Sequence, residues 1–125
     1  MKDKKGIYDE VINDTLMTLG IPANHKGFDY IRDIIEYIIE YDLKVFELNK
    51  TIYRVIAFKY NKSIYSIERD IRYSIEIGYN RTKNYINDDL YKNSINYDKL
   101  KPTNKQFIKT VSNLVAYKIS NKAVI

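Results

Sequence analysis

Apolar residues along this chain recur at steps of three and four, the spacing that lines side chains up on one face of an α-helix. Ile7, Val11, Ile12, Leu16 and Leu19 form the first stripe, and Gly20 followed by Pro22 is a stop signal. A second stripe begins near Gly27 with Phe28, Ile31, Ile34, Ile35, Ile38 and Ile39, while Arg32, Asp33, Glu36 and Glu40 occupy the rest of the surface. Isoleucine favours sheets, but helical spacing sustained across the whole segment outweighs that modest propensity. A third pattern over residues 49–60 turns Ile52, Val55 and Ile56 inward and sets Ala57 where two helices approach closely. Asn61 then stands where a tight turn needs a left-handed backbone, and Ser63 is placed to cap a fourth pattern of Ile64, Ile67, Ile71, Ile75 and Gly78. A short helix over residues 83–91 and a polar loop over 92–101 follow. Thr103 and Gln106 then form a capping box ahead of Phe107, Ile108, Val111, Leu114 and Val115. The sum is an all-α chain of about six helices, without the strands of a winged helix and without repeats, low-complexity tracts or a linker.

The third and fourth patterns, joined by Asn61, Lys62 and Ser63, make a helix-turn-helix whose recognition helix spans about residues 64–79. With about 100° per residue, the face opposite the isoleucine stripe holds Ser66, Arg69, Tyr73 and Glu76, flanked by Tyr65 and Arg72, with Glu68 nearer the apolar edge. Glu68, Arg69 and Arg72 are the candidates for base contacts: arginine bonds O6 and N7 of guanine together, and glutamate accepts from the N4 amino group of cytosine. Lys62, Ser63, Tyr65, Ser66, Tyr73, Arg81, Lys83 and Lys105 are candidates for phosphate or flanking contacts. Each has an ordinary explanation beside it. Ser63 serves equally as a plain helix cap, the lysines as surface charge, and Arg72 as the partner of Glu68 or Glu76 four residues away. Polar Asp70 stands where a general helix-turn-helix often has a buried residue, so the generic match is partial.

Charge sharpens this picture. The net charge of +5 is uneven: residues 1–60 carry 9 Lys or Arg against 10 Asp or Glu, whereas residues 61–125 carry 12 against 6. The basic half begins at the recognition helix, as expected of a surface that neutralises phosphates. At 125 residues the chain fits one domain covering residues 1–125. It has no cysteine and a single histidine, His25, which argues against disulfides, a metal site or a histidine-based triad, and His25 itself reads as structural. Asp33, Glu36 and Glu40 share helical spacing but read as a solvated face rather than a metal or acid–base site. No run approaches the roughly 20 apolar residues of a membrane span, so no membrane is involved and the cytoplasm is the expected compartment. The 13 tyrosines are scattered along every helix, which fits packing better than a platform for stacked bases.

Three separated blocks resemble the C-terminal DNA-binding effector domains of the stage zero sporulation response regulators of endospore-forming bacteria. Gly20-Ile21-Pro22-Ala23-Asn24-His25-Lys26-Gly27-Phe28 resembles the family's GVPAHIKGY, Ile67-Glu68-Arg69-Asp70-Ile71-Arg72 resembles VERAIR, and Lys101-Pro102-Thr103-Asn104 resembles KPTN. The resemblance covers residues 11–118 in order and spacing. It implies an all-helical domain whose fourth helix enters the major groove at TGTCGAA-like boxes, often in tandem, to activate or repress transcription. Double-stranded DNA is then the partner, with RNA polymerase and a second copy on tandem sites as further expected partners, and no cofactor. The family's positions for base reading fall on Glu68, Arg69 and Arg72. This sequence departs from the family at Tyr73 in place of His, at Tyr79-Asn80-Arg81-Thr82 in place of Trp-Ser-Arg-Gly, and at Tyr91-Lys92 in place of Phe-Gly. No receiver domain is recognised, so binding is expected to be free of phosphorylation control and to compete with a full-length regulator. A competing reading keeps the fold without DNA binding: a protein-interaction module whose tyrosine-rich, apolar surface sequesters a regulator or a polymerase subunit. Without a paired nucleophile and base, a phosphate loop or a metal constellation, an enzyme is not expected.

Overall fold

A computed structural model describes residues 4–42, 51–82 and 101–124. Helix α1 (Lys4–Thr18) ends at Gly20, whose φ of +79° is open to glycine at little cost. The Gly20 N–H bonds the Met17 carbonyl and the Ile21 N–H bonds the Leu16 carbonyl, both at 3.0 Å, the two bonds of a Schellman turn. The same solution closes α3 (Tyr53–Tyr60). Asn61 sits at φ 54°, and Asn61 and Lys62 donate to the Phe58 and Ala57 carbonyls at 3.3 and 2.9 Å. Ser63 then opens α4 (Ile64–Thr82), its Oγ accepting the Ser66 N–H at 3.1 Å. The capping box before α5 (Asn104–Val124) is formed in both directions: Thr103 Oγ1 accepts from the Gln106 N–H at 3.1 Å, and Gln106 Oε1 accepts from the Thr103 N–H at 2.9 Å.

Helix α2 (Lys26–Tyr41) lies in the middle and packs against α1, α3, α4 and α5. Its Ile31, Ile34 and Ile35 are fully buried with Ile12 and Leu16 of α1, Ile67, Ile71 and Ile75 of α4, and Ile108 and Val111 of α5. Each such side chain contributes roughly 1.5–3 kcal/mol relative to exposure, so the α4 stripe fixes which side of that helix is left outside. Where α2 crosses α4 there is no room for a side chain. A Cβ on Gly27 would come within 2.1 Å of Ser74 Oγ and 2.3 Å of the Asp70 carbonyl oxygen.

Helix α1 begins before the predicted stripe, and α4 runs past the predicted end at residue 79 to Thr82. Val55 departs from its predicted inward position and is 37% exposed. The reason is local: α3 has only 8 residues, and Tyr53, Ile56 and Ala57 already take the inward three-and-four stripe. Asp33 departs in the other direction. Its side chain is only 9% exposed and ties α2 to α3, accepting from Arg32 Nε at 3.2 Å, Lys59 Nζ at 2.9 Å and the Tyr60 hydroxyl. A solvated carboxylate face is the wrong reading for this residue. Among the described residues there are five helices, no strand and no helix long and apolar enough to cross a membrane. The predicted helix over residues 83–91 and most of the loop after it lie outside the described residues.

Candidate nucleic-acid interface

The side of α4 away from its isoleucine stripe carries the predicted set in graded exposure. Tyr65 is 72% exposed and Tyr73 58% exposed, with Arg69 exposed between them. Arg69 extends along the surface with its guanidinium 6.0 Å from the Tyr65 ring centre and its Nε 3.3 Å from Asp70 Oδ1. A solvent-exposed contact of that kind holds weakly, so the guanidinium exchanges it readily for another partner. Ser66 is half-buried at the start of the same face, its N–H and hydroxyl both engaged with the Ser63 cap. Lys62 and Ser63 are exposed in the turn.

Arg72 is held differently. It is half-buried, its Nε donates to Glu76 Oε1 at 3.1 Å, and its Nη1 donates to the Pro102 carbonyl. The predicted alternative pairing with Glu76 is therefore formed. From the same segment, Asn104 Nδ2 donates to the Glu68 backbone carbonyl at 3.1 Å. Asn104 also hydrogen-bonds Tyr53, whose hydroxyl is pushed up to about 12 chiefly by burial. The segment 101–104 thus braces α4 along the edge that carries Glu68 and Arg72, with exposed Lys105 beside it. Nothing in the chemistry of Pro102 or Asn104 marks either residue from sequence alone, because a carbonyl and an amide some 30 residues from their partners leave no local trace. The unusual block at 101–104 is the one signal that points to them.

The opposite edge of α4 is braced by the turn between α1 and α2. Gly78 lies so close to it that a Cβ there would meet Ile21 Cδ1 at 2.7 Å and the Leu19 carbonyl oxygen at 2.9 Å. Arg81 is exposed, with Nη1 donating to the Gly20 carbonyl at 3.3 Å, which places it at the far end of the helix from Ser63. His25 stacks on Tyr73 with ring centres 5.6 Å apart and planes 7° from parallel. The histidine read as structural therefore steadies a predicted contact residue. Lys83 lies outside the described residues.

The structure brings Tyr65, Ser66, Arg69 and Tyr73 onto one side of α4, leaves Lys62 and Ser63 in the turn before it, sets Glu68 and Arg72 at its edge, and separates Arg81 from them. Side chains of this kind on a helix about 10–12 Å wide match a major groove about 12 Å across. No group of three or more metal-ligating side chains occurs among the described residues. Compared with known families, residues 12–115 match the model described as sporulation initiation factor Spo0A, C terminal. That span runs from within α1 into α5, and so includes the helix-turn-helix with both of its braces. The chain belongs to this family of DNA-binding effector domains of sporulation regulators.

Proposed function

We propose that this protein reads double-stranded DNA sequence by laying α4 in the major groove at TGTCGAA-like boxes and so regulates transcription related to the initiation of sporulation. The observation that carries the reading is the state of α4 itself. Its buried stripe is fixed to the core, both edges are braced by the segments 20–28 and 101–104, and its outward face presents exposed Arg69 between two tyrosines. Rigid presentation matters because base readout requires donors held within hydrogen-bonding geometry.

In this reading Arg69 is the principal base reader. Arg72 keeps its bond to Pro102 and offers Nη2 to a neighbouring base, and Glu68 accepts from a cytosine. Ser63, Lys62 and the backbone N–H groups at the start of α4 hold a phosphate. Tandem boxes seat two copies side by side, and RNA polymerase is the machinery on which the bound regulator acts.

A titration of TGTCGAA-bearing and scrambled duplexes at several salt concentrations tests this. The expected result is tighter binding to the box at every salt concentration and a steep fall in affinity for both duplexes as salt rises. Equal affinity for the two duplexes contradicts sequence reading, and absence of binding contradicts the proposal entirely.

A further inference from the structure

One side chain of α5 is bonded to both helices of the helix-turn-helix. Asn104, the first residue of α5, donates from Nδ2 to the Glu68 carbonyl of α4 at 3.1 Å, and it also hydrogen-bonds the hydroxyl of Tyr53, buried at the start of α3. Its Oδ1 is buried and has no hydrogen-bond partner among the described residues, so the nitrogen carries both bonds, one through each of its hydrogens. A carbonyl only accepts, which fixes the way round that the amide stands.

The bond to α4 is not needed to satisfy its acceptor. Within the helix the Glu68 carbonyl already accepts from the Arg72 N–H four residues on, and Asn104 takes its second lone pair. A leucine at 104 would fill similar space and remove the unmatched Oδ1 while leaving the Tyr53 hydroxyl without this donor, two effects on stability that oppose each other. What the amide supplies and leucine does not is direction. It is anchored on the backbone link between Glu68 and Arg72, while the Pro102 carbonyl holds the Arg72 side chain. Backbone and side chain of this edge are thus tied to one segment, which the Thr103–Gln106 box fixes to α5. Arg69 is exposed, and its contacts with Tyr65 and Asp70 are made within α4 itself. A long, weakly held side chain adapts to a small shift of its helix, whereas half-buried Arg72 has little slack.

We infer that Asn104 is a positioning residue for base reading: without touching DNA, it sets the direction of the edge of α4 that carries Glu68 and Arg72, and with it the base preference where that edge meets the groove. This rests on the proposed placement of α4 in the major groove. Base contacts need donors and acceptors held within about 0.5 Å of their bonding geometry, so the loss of one tether at the edge is read as lost preference rather than as lost folding.

The test measures affinities of the full chain and of Asn104→Leu, Arg69→Ala, Arg72→Ala and Glu68→Ala for a TGTCGAA-like duplex and for duplexes with each base pair of the box replaced in turn. The alanine variants identify the positions that each side chain reads. Asn104→Leu, folded by circular dichroism, is expected to lose about fivefold or more of the parent's preference at the positions of Arg72 or Glu68 and to keep it at that of Arg69. Added to the double variant Glu68→Ala, Arg72→Ala, the same substitution is expected to change preference no further. A second measurement needs no variant. Both hydrogens of the Asn104 side-chain amide are bonded, so their NMR signals are expected to exchange slowly with solvent both in the free protein and on DNA. A discriminating parent with unchanged preference in folded Asn104→Leu, an equal loss at every position including that of Arg69, or an Asn104 amide released on DNA overturns this inference and leaves the reading by α4 standing. A parent that binds every duplex alike overturns both.

Discussion

Replacing Gly27 with alanine tests how α4 is positioned. The added Cβ meets the Asp70 carbonyl oxygen at 2.3 Å, whereas ordinary contact begins at 3.4 Å, so α2 and α4 have to move apart. Ser74 Oγ at 2.1 Å can rotate away, but a backbone oxygen inside α4 cannot. Overpacking of this kind costs about 3 kcal/mol, and the better helix propensity of alanine returns up to about 1 kcal/mol, leaving a net loss of about 2 kcal/mol. For a chain of 125 residues that corresponds to a drop in melting temperature of roughly 6–10 °C. Thermal denaturation followed by circular dichroism measures it. Gly78→Ala is the internal comparison: the tip of Ile21 at 2.7 Å can move, and the backbone oxygen it meets, that of Leu19, lies at 2.9 Å rather than 2.3 Å, so it is expected to lose less than Gly27→Ala. A Gly27→Ala protein melting within about 2 °C of the parent, or the reverse order of the two variants, refutes the close crossing.

Asp33→Asn removes the charge that Arg32, Lys59 and Tyr60 share and is expected to cost about 1–3 kcal/mol in chemical denaturation. Burial alone works to raise the Asp33 pKa, but the hydrogen bonds from Lys59 and Tyr60 and the Arg32 charge outweigh it and hold the group below its ordinary range. A folded-state value depressed in this way adds stability that is complete above the unfolded pKa of about 3.9 and is lost as pH falls through the folded value. Parent and Asp33→Asn stabilities should therefore converge in acid. Tyr53 is raised to about 12, mainly by burial, so its contribution is complete below about pH 10 and is lost towards pH 12, which alkaline unfolding of parent and Tyr53→Phe compares. Ser63→Ala removes the cap of α4 and is expected to cost about 1 kcal/mol in stability.

What can be read in the sequence is the local part. Gly20, Asn61, Ser63 and the Thr103–Gln106 pair end or begin helices as their chemistry directs, since each bond involved spans no more than five residues. The stripes of α2 and α4 are legible because long helices repeat their signal. Val55 is misplaced by its spacing because α3 is too short to average out one ambiguous position. Asp33 looks like surface charge because its partners Lys59 and Tyr60 come from another helix, 26 and 27 residues on. The candidate reading face is legible as a set, but its mechanics are not. That Pro102 holds Arg72 and that His25 stacks on Tyr73 depend on tertiary contacts that spacing does not encode.

In the proposed function Arg69 reads a base from a helix held rigidly in place. Affinities of the parent and Arg69→Ala for a TGTCGAA-like duplex and for duplexes with single guanine replacements within the box test it most directly. One replacement is expected to cost the parent about 1–3 kcal/mol, and Arg69→Ala is expected to lose this discrimination while still binding both duplexes weakly through phosphates. A folded Arg69→Ala protein with the parent's full preference at every position contradicts it.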